Sequence, residues 1–408
     1  MDTKPLRIPS FRRLWLSTVV TSIGSQLTAV AVPKQVFDIT GSSAYVGLSA
    51  VFALVPLVVF ALWGGAVADA MDRRKLLIYT NAGVAITSLL LWLQAATDQR
   101  SIWLIFVLLA FQQAFFGMNQ PARGASVARL VPFAQLPAAN ALNSTVFSLG
   151  QVIGPLMAGV LIPVVGLPTL YLVDTIALCI AVLAVWRLPP LPRSVHAPAT
   201  AGLVHVFDGL RYLTMHRILL VSFLADIIAM VFGMPRALFP EMAQRTFGDP
   251  PGGGLALGLL FAAIPIGAIV GGIFSGSFSR SNRHGAAVAL AVAAWGVSIA
   301  GFGMANALWL AVLFLGLAGV ADMVSVVFRS AILQTAVTDE MRGRTQGIFT
   351  VVVAGGPRVA DVVHGFAGAA FGTATAVIGG GLLVVIATTL MIVSFPAFWT
   401  YEAVAKPE

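Results

Sequence analysis

Apolar runs long enough to cross a lipid bilayer recur from one end of this chain to the other. VFALVPLVVFALWGGAVA (51–68) and LIFVLLAFQQAFFG (104–117) are apolar on every face of a helix. A helical run of 18 or more such residues spans a hydrocarbon core of about 30 Å. The rest of the sequence agrees: 58% of the 408 residues are hydrophobic and 10% charged, with a mean hydropathy of +0.93. A soluble domain, with about 25% charged residues, cannot cover its surface from such a composition. A membrane β-barrel would show segments of about 10 residues with alternating polarity, which these runs lack. The expected fold class is therefore an all-α polytopic membrane protein, with twelve spans centred from near residue 24 to near residue 387. No small-residue cleavage site follows the first apolar run, so that run reads as a retained helix. Cys179 is the single cysteine, which excludes a disulfide within the chain.

The basic residues give the topology. With the N-terminus in the cytoplasm, nineteen Lys and Arg fall on inner segments, Arg123, Arg280 and Arg329 among them. Four, Lys34, Arg100, Arg236 and Arg245, fall on outer ends, and Arg358 lies inside a span. That asymmetry puts both termini in the cytoplasm. It also accounts for the net charge of +8 without nucleic acid as a partner. The longest polar segment divides the spans six and six. The expected domains are a bundle over 1–187, a cytoplasmic linker over 188–216 and a second bundle over 217–408. Within the linker, Leu203, Phe207 and Leu210 share a face that Asp208 and Arg211 avoid, as in an interfacial helix. The halves resemble each other at a shift of 206 residues, which brings Arg123 onto Arg329 and Gly65 onto Gly271. Parallel six-helix repeats suit a rocker with a central site.

One stretch breaks the apolar pattern. In GGAVADAMDRRKL (64–76), Asp69, Asp72, Arg73, Arg74 and Lys75 crowd into seven positions. Topogenic charge explains the basic residues, but the positive-inside rule does not require Asp69. This stretch resembles the loop signature of the major facilitator superfamily, matching at Gly65, Asp69, Arg73 and Arg74 and departing at Ala70 and Asp72. The stretches FRRLWLSTVVTSIGSQLTAVAVP, NQPARGASVARLVPFAQLPAANALNS, DGLRYL and FPEMAQRTFGDPPGGGLALGLLFAAIPIGAIVGGIFSG extend the resemblance along the whole chain. They resemble the branch that contains bacterial enterobactin exporters and macrolide efflux pumps. The resemblance implies two pseudo-symmetric six-helix bundles and a conformational latch at Gly65, Asp69, Arg73 and Arg74. The matching loop of the second half keeps Gly276, Arg280 and Arg283 but has no acid. GQVIGPLMAG in the fifth helix carries Gly150, Gly154, Pro155 and Gly159, with Ala158 in place of a usual Gly, and resembles the signature of proton-linked exporters. Small residues four apart permit close helix packing, and Pro155 leaves a carbonyl one turn earlier without its partner.

Polar residues at helical spacing point to a wet cavity. Ser22 and Gln26 share a face of the first helix, Gln113 and Gln120 one of the fourth, and Asn140, Ser144 and Gln151 one of the fifth. Drug exporters of this superfamily often carry Arg where Gln113 stands, so coupling here needs other ionisable groups or another ion. A charge at mid-membrane costs about 2.5–3.5 kcal/mol, so each retained one needs a partner or a task. Asp226, Asp322, Arg358 and Asp361 lie inside second-half spans. Arg358 and Asp361 are three apart and can pair, which makes Asp361 the poorer proton carrier. Asp226 and Asp322 have no such neighbour and are the expected proton-exchanging acids, with Arg358 as their electrostatic partner. His364, one turn from Asp361, is a possible relay or a packed imidazole. Asp174 ranks lower, near the outer end of a helix that is peripheral in the superfamily.

The expected function is a secondary active transporter that exports an amphipathic small molecule, such as a drug, macrolide or siderophore, by alternating access with proton antiport. A proton-coupled nutrient importer and a non-transporting membrane sensor or assembly protein are the rivals. No GxxxxGK[ST] motif, metal-ligand cluster or catalytic constellation occurs in the sequence, so no enzyme activity, cofactor or metal is expected. The expected setting is the bacterial inner membrane, the expected partners are substrate, protons and lipid, and the expected state is a monomer.

Overall fold

The structure, a computed structural model, describes residues 2–191, 211–250, 252–278, 282–337 and 339–402, and at 62, 64–66, 68–70, 339–351 and 354 it describes the backbone alone. Six long helices form the first half: α1 (Pro9–Thr40), α2 (Ser43–Ala70), α3 (Arg73–Ala96), α4 (Ile102–Leu130), α5 (Leu136–Val165) and α6 (Leu167–Trp186). The second half repeats them as α7 (Arg217–Gly233), α8 (Leu255–Ile273), α9 (His284–Gly303), α10 (Leu308–Ala336), α11 (Asp339–Phe371) and α12 (Thr373–Ser394). Among the described residues there is no strand, and eleven helices are long and apolar enough to cross a membrane. The twelfth, α11, runs for 33 residues. The chain is thus an all-α polytopic membrane protein of twelve transmembrane helices. The expected interfacial helix lies largely outside the described residues, including Leu203, Phe207, Asp208 and Leu210.

The chain forms two compact units. The first takes Met1–Gly41, Val51–Gly202 and Asp249–Gly258; the second takes Ser42–Ala50, Leu203–Gly248 and Leu259–Glu408. Two short pieces, the start of α2 and the segment leading into α8, therefore group with the unit of the other sequence half.

The repeat is written in the backbone. Gly166 joins α5 to α6 with φ 76° and ψ 161°, and Gly372, 206 residues later, joins α11 to α12 with φ 87° and ψ 151°. A side chain would be strained at either φ, and each glycine reverses the chain with a single residue. A second repeat-related pair sits in close helix crossings. In the first unit, a Cβ on Gly258 of α8 would lie 2.6 Å from the Pro155 carbonyl and 2.9 Å from Gly159 Cα on α5. In the second unit, a Cβ on Gly365 of α11 would lie 2.6 Å from the Ser43 carbonyl and 2.7 Å from Gly47 Cα on α2. Gly159 and Gly365 also stand 206 apart. Helices gain no hydrophobic drive from pairing inside lipid, so this backbone proximity is what holds them.

The polar joint between α2 and α3 has a local cause. Asp72 is the N-cap of α3, accepting from the backbone N–H of Arg74 at 2.8 Å and Lys75 at 3.2 Å. The sequence treats Asp72 as a departure from a loop pattern; its side chain satisfies two orphan donors of the new helix. The two arginines that follow turn to the end of α6. The backbone N–H of Arg73 donates to the Leu191 carbonyl at 3.1 Å, and Arg74 Nη2 donates to the Trp186 carbonyl. Arg13 Nη1 donates to the Arg187 carbonyl at 3.0 Å, so two guanidiniums cover the negative end of α6. Side-chain surroundings of Gly65 and Asp69, as well as Arg280 altogether, lie outside the described residues. Asp72→Ala is expected to remove about 1 kcal/mol of stability, a fall of roughly 1 °C in melting temperature. Asp72→Asn, which keeps a capping oxygen, is expected to melt with wild type in the same thermal unfolding measurement in detergent.

Candidate functional site

The embedded charges of the second unit converge from three helices and one turn. Asp226 lies midway along α7 and is 2% exposed. Asp322 and Arg329 stand seven residues apart on α10, two turns along one face, and Arg329 is 4% exposed. Arg329 Nη1 forms an ion pair with Asp226 Oδ1, while its Nη2 lies 3.8 Å from Asp322 Oδ1. The second separation is too long for a hydrogen bond, so one guanidinium faces two carboxylates, paired closely with Asp226 and only near Asp322. Asp226 Oδ2 and Arg329 Nε have no hydrogen-bond partner. Leu219, Ser222, Phe223 and Leu333 complete a small pocket around the pair.

The next charges arrive through a break in the helix. α7 ends at Gly233, and Pro235 starts a 3-10 turn, Arg236–Leu238, that brings Arg236 back among the helices. Arg236 acts electrostatically on Asp361 and Asp322, and the backbone N–H of Ala237 hydrogen-bonds to Asp361. Arg358, Asp361 and His364 follow at steps of three along α11. Arg358 also acts on Asp361. His364 is 2% exposed, and its Nε2 lies 3.1 Å from the Phe232 carbonyl while Nδ1 has no hydrogen-bond partner. That is a packed imidazole bonded to the end of α7.

Two sequence expectations change here. Arg358 is expected as the partner of Asp226 and Asp322, but the structure gives that place to Arg329. Arg236 is expected as an outer-end charge, but the turn after α7 folds it toward Asp361 and Asp322. Two of these pairings span long stretches of sequence: Arg329 follows Asp226 by 103 residues, and Arg236 precedes Asp361 by 125. The available signal was the repeat, which maps Arg329 onto Arg123, itself half-buried and donating to the Thr18 hydroxyl at 2.6 Å.

In the first unit the expected cavity residues and the exporter-type motif prove to be one packing surface in part. A Cβ on Gly150 would collide with Ser22 Oγ, and one on Gly154 with Gln26 Cβ, so α1 lies directly on the α5 glycines. Gly159 faces the start of α8 instead. Asn140 and Ser144 are exposed, Gln113 and Gln151 half-buried. It is Gln112, one residue from the expected Gln113, that is buried, donating to Ser88 Oγ at 2.9 Å. Asn119, also buried, donates to Thr80 Oγ1 at 2.7 Å and Asn81 Oδ1 at 3.0 Å. Asp174, ranked low from the sequence, is 1% exposed and accepts from Thr28 Oγ1 and Ser88 Oγ. Among the described residues no group of three His, Cys, Asp or Glu could hold a metal ion.

Comparison with known proteins adds three findings. A family described as "Transmembrane secretion effector" matches residues 2–405. The Enterobactin exporter EntS of Citrobacter koseri is 29% identical over 391 residues, covering 94% of this chain and 91% of that protein. The protein of the same name from Escherichia coli O81 is 28% identical over 387 residues, covering 94% and 92%. Among solved structures, a bacterial homologue of the human lysosomal transporter Spinster, in an inward-facing and unoccupied conformation, superposes with a TM-score of 0.70 at 16% identity over 98% of this chain and 97% of that one. The nucleoside transporter NupG superposes with a TM-score of 0.74 at 14% identity, covering 96% and 100%. At such identities the structural likeness carries the fold alone.

Proposed function

The chain belongs to the transmembrane secretion effector family of the major facilitator superfamily, and from that premise we propose that it exports an amphipathic small molecule across the bacterial inner membrane in exchange for protons. It is a multi-pass membrane transporter of a small-molecule substrate rather than an enzyme. The observation that carries the finer reading is the set Asp226, Arg329 and Asp322, the first two buried and the third half-buried. In lipid an unpaired charge is costly, so a guanidinium between two acids has two low-energy arrangements and a costly middle. Adding a proton to Asp226 removes the reason for Arg329 to stay there, and Asp322, 3.8 Å from its other nitrogen, is ready to take it. Proton uptake is thereby converted into movement of a side chain between α7 and α10. Binding of substrate on the cytoplasmic side and proton uptake on the other would then favour opposite arrangements, as antiport requires. Arg236, Arg358 and Asp361 lie within electrostatic reach of one another and tune the same balance.

Enterobactin and a macrolide are the two substrates to try first, the former because two relatives carry its name. Both termini would face the cytoplasm, and each half of the chain would act within one monomer. In everted membrane vesicles energised by a proton gradient, substrate is expected to accumulate inside, and collapse of the gradient is expected to stop it. Asp226→Asn is expected to reduce that proton-driven accumulation at least tenfold while substrate still binds. Substrate leaving energised everted vesicles, or accumulation that ignores the gradient, would show that the direction or the coupling is wrong.

A further inference from the structure

Asp174 on α6 is held against α1 and α3 of the first unit. Its Oδ2 accepts from the Thr28 hydroxyl of α1 at 2.7 Å and from the Ser88 hydroxyl of α3 at 2.8 Å. Ser88 Oγ in turn accepts from Gln112 Nε2 of α4 at 2.9 Å. Thr28, Ser88 and Gln112 are all buried. The other carboxyl oxygen, Oδ1, has no hydrogen-bond partner and faces Gly24 of α1, where an added Cβ would lie 2.6 Å from it. Among the described residues, the side chains that hydrogen-bond to Asp174, Thr28 of α1 and Ser88 of α3, are therefore neutral. Among the described residues its titratable neighbour is Tyr171, one turn earlier on α6, whose hydroxyl is turned away to donate to Gln35 Oε1 at 2.8 Å.

Two hydroxyl donors do not offset the burial of a full negative charge. Something must neutralise this carboxylate, and no Lys, Arg or His among the described residues forms an ion pair with it. We propose that Asp174 is the binding site of a monovalent cation, a proton or a sodium ion, held between α1, α3 and α6. A single carboxylate balances one positive charge, so a divalent ion would leave an excess charge in the same apolar surroundings. Hydroxyl and carboxylate oxygens are the hard donors that a sodium ion takes, with the Thr28 and Ser88 hydroxyl protons turned outward. A proton needs only Oδ1, the oxygen with no donor. Either cation neutralises the charge buried between α6 and α1, so occupancy and the packing of these helices are linked. The role in coupling rests on the exporter reading; the binding itself does not.

The test uses full-length protein in detergent and does not require transport. Wild type and Asp174→Asn are melted in sodium chloride against choline chloride at equal ionic strength, and their infrared difference spectra are recorded in sodium-free buffer at neutral pH. If the ion is sodium, wild type is expected to gain roughly 2–4 °C at saturating sodium and Asp174→Asn to gain nothing. If it is a proton, sodium is expected to have no effect, and wild type to show the stretch of a protonated carboxyl that Asp174→Asn lacks. Wild type with neither a sodium-dependent shift nor an Asp174-dependent carboxyl band overturns the proposal. Should Asp174→Asn fail to fold, Thr28→Val and Ser88→Ala take its place. Each is expected to weaken the sodium dependence about tenfold or to move the carboxyl band, and a site without a bound cation would leave both unchanged. Failure of the efflux experiment would not alter these readouts, and their failure would leave the efflux result standing.

Discussion

Arg329→Met is expected to destabilise the folded transporter by about 3–5 kcal/mol, because it leaves a buried carboxylate with no cation. That is a large share of a total stability of about 5–15 kcal/mol, so membrane abundance is expected to fall several-fold and transport to vanish. The asymmetry of the cluster sharpens this expectation. Arg329 serves both Asp226 and Asp322, whereas removing the Asp226 charge leaves Arg329 with Asp322 3.8 Å away. Asp226→Asn is therefore expected to cost about 1–2 kcal/mol, well below the arginine change, while abolishing proton coupling as fully. The double variant Arg329→Met with Asp226→Leu is expected to recover most of the lost stability and none of the transport, since well-packed apolar groups replace a buried pair without loss. Thermal unfolding in detergent, read beside efflux in vesicles, separates the two effects. Equal melting temperatures for Arg329→Met and Asp226→Asn would mean that Arg329 is not shared.

The second large effect is expected at the glycine crossings. Gly365→Leu would drive a side chain into the Ser43 carbonyl and Gly47, and Gly159→Leu into Gly258 and the Gly254 carbonyl. Overpacking costs about 1–3 kcal/mol where side chains can give way, and more where backbone is the obstacle, as here. Both variants are expected to lose at least 2 °C in melting temperature, roughly the effect of 2 kcal/mol in a chain of this size. Gly379→Leu is the control, since nothing lies within 4 Å of a Cβ there, and it is expected to unfold within about 1 °C of wild type. A loss at Gly379 equal to that at Gly365 would show that leucine, not the crossing, is responsible.

The fold was legible because lipid imposes a simple rule. Apolar length fixes the spans, and a helix satisfies its own backbone, so runs such as 51–68 and 104–117 could hardly be anything else. The repeat was also visible, and Gly166 with Gly372 gives it a backbone counterpart that the sequence comparison had not singled out. The charged site was legible by half. Asp226, Asp322, Arg358 and Asp361 stand out because an ionisable group in an apolar run is conspicuous. Their partners do not stand out, because Arg329 and Arg236 lie near span ends, where a basic residue already has a topological explanation. Asp174 does not stand out for a related reason: position along a helix says little of environment, and its burial depends on α1 and α3. Asp72 was read against a loop pattern when its role is to begin α3.

The arginines that cover the end of α6 impose an order on biosynthesis. Arg13 and Arg74 leave the ribosome long before Trp186 and Arg187, the residues whose carbonyls they will hold. Until α6 has been made, these guanidiniums can only face water or lipid headgroups, and the polar joint after α2 stays open. Completion of the first half is thus registered at its last helix, by contacts that reach back 112 and 174 residues.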